Sequence, residues 1–128
     1  MVRSVGAVLA GFATTVVLAL GADAILRQIF PASFAPGGEA RGTVLVIVLV
    51  YTAVFAVAGA WLTARVAPAH PLRHALILGA VALALSLVAT IFEWSTTPDW
   101  YHIAALALVL PACWLGGTIV ERREPGAV

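Results

Sequence analysis

The chain has 128 residues, of which 62% are hydrophobic and 10% charged, with a formal net charge of +1. Soluble domains carry about 25% charged residues, so a water-soluble fold is excluded. All seven basic residues are Arg, and no basic run is long enough to suggest a nucleic-acid partner. The single cysteine, Cys113, excludes an internal disulfide and a CxxC redox pair.

Four stretches lack acidic and basic side chains: Ser4 to Ala22, Gly42 to Ala64, His74 to Phe92 and Trp100 to Val120. About 20 apolar residues rising ~1.5 Å each cross the ~30 Å hydrocarbon layer. The pattern predicts an all-α four-transmembrane-helix bundle, a single membrane domain over 1–128 with helices at about 4–29, 43–66, 71–93 and 98–120.

The first stretch follows Arg3 and ends near Ala22-Asp23-Ala24, which has the outline of a signal-peptide cleavage site. Its apolar run exceeds the ~7–15 residues of a signal core, so it is expected to remain as a helix. Asp23 and Arg27 stand four residues apart on one helix face near the outer boundary, the spacing of an interfacial ion pair. Pro31, Pro36, Gly37, Gly38 and Gly42 make Phe30 to Gly42 a loop, with Phe30 and Phe34 suited to the interface.

In the second stretch Tyr51 lies mid-membrane and is expected to find a hydrogen-bond partner inside the bundle or on a neighbour. Pro68-Ala69-His70-Pro71 stops the second helix and starts the third, a tight hairpin with Pro71 in a first turn. Thr97-Pro98-Asp99 offers a capping hydroxyl, a first-turn proline and an acid, so the fourth helix is expected to begin near Pro98. Within it Pro111 frees the carbonyl of Ala107, implying a kink or an internal partner.

With four crossings, Arg3, Arg65, Arg73, Arg122 and Arg123 share one side and only Arg27 and Arg41 the other. The positive-inside rule then makes both termini cytoplasmic, with Asp23, Glu39, Glu93 and Asp99 outside.

Small residues recur at helical spacing. Gly6, Ala10, Ala13 and Gly21 share a broad face of the first helix, and Ala53, Ala56, Ala60 and Thr63 one of the second. Ala75, Gly79, Ala82, Ser86 and Ala89 line the third, while Ala105, Ala112 and Gly116 mark the fourth. Helices in lipid associate through such faces because their backbones approach closely there. Gly6, Ala10, Ala75, Gly79, Ala82, Ser86 and Gly116 are the expected packing residues.

Carriers of chemistry are sparse. The helix centres offer only neutral groups such as Thr14, Thr15, Tyr51, Thr52 and Ser86; their convergence on one cavity would mark a transport path. His70 and His74 have no third metal ligand nearby, and Glu93, Asp99 and His102 are better explained by capping and solvation than by a metal site. No Ser/His/Asp or Cys/His set assembles on one face, so no catalytic, metal or cofactor residue is assigned and no enzyme is expected. Glu93, Trp94, Asp99, Trp100 and Tyr101 form an outer acidic and aromatic rim. Such a rim serves either as an aromatic belt or as a docking surface for a basic partner.

Several segments resemble a group of small four-helix bacterial membrane proteins with no assigned activity. They are Gly6-Ala7-Val8-Leu9-Ala10-Gly11-Phe12, Asp23, Thr63-Ala64-Arg65-Val66-Ala67-Pro68 with Pro71-Leu72-Arg73-His74-Ala75, and Leu78-Gly79. Trp94, Pro98, Trp100-Tyr101 and Pro111-Ala112-Cys113-Trp114-Leu115-Gly116-Gly117 belong to the same likeness. It implies the fold and a bacterial plasma membrane, and it carries over no catalytic residue. The expected function is a non-catalytic integral membrane subunit, self-assembling or accessory to a larger membrane protein complex. Its partners are then the lipid bilayer and other membrane subunits or further copies, with no nucleic acid. A small-solute transporter or channel is the alternative.

Overall fold

A computed structural model describes residues 1–35 and 42–123. Among the described residues four helices follow one another: α1 (Val2–Ile29), α2 (Gly42–Val66), α3 (Pro71–Glu93) and α4 (Asp99–Arg123), with a 3-10 turn, Pro31–Ser33, after the first. Each is long and apolar enough to cross a membrane, so the chain is a multi-pass membrane bundle with the expected boundaries, extended by about a turn or less. α2 is rich in β-branched residues, from Val44 to Val50. They are poor helix formers in water, but in lipid every backbone N–H and C=O must be satisfied within the segment, which imposes the helix.

The polarity is inverted relative to a soluble protein. Large apolar side chains face outward, as Phe92 does at 81% exposure, while the buried core consists mainly of small ones: Ala7, Ala60, Ala64, Ala75, Ala112 and Cys113. α2 packs along α4, α3 along α4 and α1 along α2, whereas α1 meets α3 over a short stretch. Hence α1 is a flanking helix.

Glycines set the closest crossings. Gly11 and Gly59 put the α1 and α2 backbones in contact, such that a Cβ on Gly59 would stand 2.7 Å from the Gly11 carbonyl oxygen. Thr15 bridges the same crossing, donating to the Gly11 carbonyl at 3.0 Å and lying 3.4 Å from that of Phe55. A Cβ on Gly116 would lie 2.5 Å from the Val57 carbonyl, and one on Gly117 2.8 Å from the Ala75 Cβ. Most of these contacts lie toward the end that carries the α2–α3 hairpin, here the hairpin end. There Ala75, Leu78 and Gly79 of α3 and Ala112 to Val120 of α4 contribute buried residues. Toward the other, distal end α3 opens away, so Ala82 and Ser86 are half-buried.

The expected packing set therefore divides. Ala75, Gly79 and Gly116 are buried, and Ala10 is half-buried. Gly6 is not a packing residue within this chain: it is exposed, and a Cβ added to it would meet nothing within 4 Å; Gly21 is the same. Ala7 and Gly11 are buried instead. One residue is a ~100° rotation about the helix axis, so the small face expected to bind the bundle looks away from it.

At the hairpin, His70 adopts a left-handed conformation with φ of 48°, which lets Pro71 open α3 directly. α4 runs unbroken through Pro111. Of the loop between α1 and α2, Pro36 to Arg41, including Glu39, lie outside the described residues.

Candidate functional site at the distal end

A group of polar side chains from all four helices meets at the distal end. Asp23, in the last two turns of α1, accepts a hydrogen bond from the Tyr51 hydroxyl of α2. Tyr51 in turn packs against Phe55 with ring centroids 5.7 Å apart. The expected partner of Asp23, Arg27, is engaged elsewhere: its guanidinium lies over the Phe34 ring at 5.1 Å. A long basic side chain near a helix end reaches toward the interface, while the shorter carboxylate stays at the depth of the phenol on the neighbouring helix. Tyr51 thus has the partner its depth demanded, inside the bundle.

Above this pair opens a hollow of about 270 Å³ whose polar lining includes Asp23, Ser33, Glu93, Thr97 and Tyr101. Below it, among α2, α3 and α4, lies a smaller cavity of about 70 Å³ lined by Thr52, Ser86 and Tyr101 among apolar side chains. Tyr101 lines both spaces. Thr14 does not reach the cavity, since its hydroxyl donates to the Ala10 carbonyl at 2.8 Å on its own helix. Thr15 is committed to the α1–α2 crossing and Tyr51 to Asp23. Two of the five neutral groups, Thr52 and Ser86, therefore converge.

The rim residues separate as well. Glu93, Trp94, Asp99 and Trp100 are exposed, whereas Tyr101 is half-buried and turns toward the bundle. Trp94 stacks on His102, with centroids 5.3 Å apart and planes 9° from parallel. Trp100 meets Tyr101 edge-on at 6.2 Å. His102 is only 2% exposed. The Thr97 hydroxyl donates to the Glu93 carbonyl at 3.1 Å, so at 2.9 Å it accepts from His102 Nε2. Thr97 is thereby a staple between the α3 terminus and α4 rather than the expected helix cap, and α4 begins at Asp99.

No family model, curated protein or solved structure matches the chain.

Among the described residues no group of three His, Cys, Asp or Glu side chains is placed to hold a metal. His74 Nδ1 donates to the His70 carbonyl at 3.1 Å, which occupies that nitrogen locally. Cys113 is buried in the core at 1% exposure. What the distal hollow offers is two carboxylates, Asp23 and Glu93, beside aromatic rings, an arrangement that attracts positive charge. Asp23 was expected to pair with Arg27 and is instead bonded to Tyr51. His102, expected to serve in capping and solvation, is instead covered, and the aromatic neighbours at 94 and 101 were a signal for that.

Proposed function

We propose that the protein is a small non-catalytic membrane subunit, assembling with itself or with a larger membrane protein complex in a bacterial plasma membrane. The observation that carries this reading is the outward face of α1. Gly6, Ala13, Gly21 and Ala24 are exposed, and at ~100° per residue they lie within about 80° of one another around the helix. Gly6 and Gly21 have no neighbour from the rest of the chain. Small residues let helix backbones approach closely in lipid, whereas against acyl chains alone they gain nothing. The exposed Glu93, Trp94, Asp99 and Trp100 offer a separate contact surface at the distal end, with aromatic anchors and a negative charge suited to a basic partner.

Extraction in a mild detergent followed by mass analysis of what co-purifies tests the proposal. A defined oligomer or a stoichiometric partner is expected, and a Gly6→Leu, Gly21→Leu double variant should lose it while keeping its own thermal stability. Trp100→Ala should weaken capture of a basic partner without affecting insertion. A lone monomer in membranes and in detergent contradicts the reading.

Orientation forms part of the proposal. The five-to-two arginine split supports cytoplasmic termini. Reporter fusions after Val128 and within the loop at 35–40 should therefore lie on opposite sides, with the former inside.

A small-solute transporter or channel is the second reading, favoured by the position of Tyr101 between the hollow and the cavity. Labelling of Ser86→Cys by a membrane-impermeant charged thiol reagent would support a hydrated path. Protection from that reagent counts against it.

A further inference from the structure

A second feature lies at the hairpin end, on the opposite flank of α1. Between α1 and α3 runs an open groove of about 370 Å³ with an entirely apolar surface. Val5, Val8, Leu9 and Phe12 form one wall, and Ile77, Val81 and Leu85 the other. Ser4 and His74 stand at its mouth.

The length of the groove decides what fits it. From Ser4 to Phe12 and from His74 to Leu85 the walls span about 12–16 Å at ~1.5 Å per residue. That is about half of the ~30 Å hydrocarbon core, the depth of one leaflet. A transmembrane helix of a second copy would need a seat along the whole membrane, whereas one acyl chain is satisfied by one leaflet.

Two arginines adjoin the residues at the mouth. Ser4 is preceded by Arg3 and His74 by Arg73, and both arginines are exposed. α1 and α3 both begin at this end, and neither has a side-chain hydrogen bond capping its first turn. Two helix N-termini therefore direct their positive dipole ends to the same region.

We propose that this groove is a binding site for an anionic phospholipid, with an acyl chain along Val8, Leu9, Ile77 and Val81 and the headgroup phosphate at Arg3, Arg73 and His74. The groove walls and the Gly6–Ala24 face lie on different flanks of α1, whereas Arg3, by the same rotation, stands on the Gly6–Ala24 side and reaches the mouth around the first turn of the helix.

The test is native mass spectrometry of the detergent-purified full chain, titrated with phosphatidylglycerol or phosphatidylcholine of identical acyl chains. Phosphatidylglycerol should bind about 10- to 30-fold more tightly, the gain expected from two arginines near a lipid headgroup. Arg3→Gln with Arg73→Gln should abolish that preference and leave the weaker binding of both lipids in place. Val81→Trp, which fills the groove, should reduce binding of both. Excess inorganic phosphate should not displace the lipid, since the chain contributes to its hold. Equal binding of the two lipids by the unmodified protein overturns the proposal, as does a preference that survives the arginine double variant. A dimer that Val81→Trp dissociates also overturns it, by showing that a second copy fills the groove. If Val81→Trp does not fold, the arginine variant alone decides, because it leaves the groove walls intact.

Discussion

Gly11→Ala probes the tightest crossing in the bundle and should destabilise it, against the usual sign of a Gly→Ala change in a helix. A Cβ there would stand 3.1 Å from the Thr63 Cβ, and closer still to the Thr63 hydroxyl and the Gly59 carbonyl. Ordinary carbon contacts are ~3.5–4.0 Å, so α1 and α2 must separate locally by about 0.5–1 Å. The Gly59 carbonyl is backbone and cannot rotate away, which places the overpacking cost in the upper part of the ~1–3 kcal/mol range. The better helix propensity of Ala returns ~0.8–1 kcal/mol. A net loss of about 1–2 kcal/mol is expected, or a melting temperature lower by about 4–8 °C for a chain of this size. Gly6→Ala on the same helix meets nothing within 4 Å and should leave stability unchanged or raise it. The sole thiol, Cys113, is buried, so a fluorogenic maleimide reports unfolding as that thiol becomes reactive during a temperature ramp. Adding Thr63→Ala to Gly11→Ala should restore part of the loss, since it removes the side-chain clash and leaves the carbonyl. Equal shifts for Gly11→Ala and Gly6→Ala would refute the assigned crossing.

The same thermal assay serves three further expectations. Gly79→Leu should lower the melting temperature strongly, because a Cβ at Gly79 already lies 3.0 Å from the Cys113 Cβ; Leu83→Ile, at a half-buried site and of equal volume, should be mild. Tyr51→Phe removes the donor to Asp23 and should cost about 1–2 kcal/mol, with a double-mutant cycle against Asp23→Asn returning a coupling rather than additive losses. At His70, whose φ is 48°, Gly should be neutral or up to about 1 kcal/mol stabilising, because relief of left-handed strain offsets the added backbone freedom. His70→Val should instead destabilise, since a β-branched side chain is worst suited to that conformation.

Helix number and limits were legible because the charge-free stretches are bounded by Arg, Pro and acidic residues, which a bilayer excludes from its centre. The rotation of α1 was not legible. In a soluble helix the apolar stripe marks the inside, but here Leu9 on the lipid side and Val8 on the bundle side are equally apolar, and small residues occur at both 6–10 and 7–11. Only the reciprocal fit of Gly11 with Gly59 distinguishes them. On α3 and α4 the expected glycines, Gly79 and Gly116, do pack inward. The distal site failed in one direction only, toward local partners. Spacing along one helix suggested Arg27 for Asp23, whereas the pairing with Tyr51 depends on how deeply α1 and α2 sit relative to each other, which no local spacing encodes. Likewise Thr97 had the position of a cap, and its bond to His102 follows from how α3 and α4 meet.

The most direct test of the assembly proposal is cross-linking in the native membrane. In a Cys113→Ala background, a benzophenone attached to Cys at Ala13 or Gly21 should cross-link α1 to a helix of another polypeptide in high yield. The same label at Val88, exposed on α3, should give little product. Comparable yields at all three positions, or no protein adduct at Ala13 and Gly21, would contradict the claim that the small face of α1 is an assembly surface.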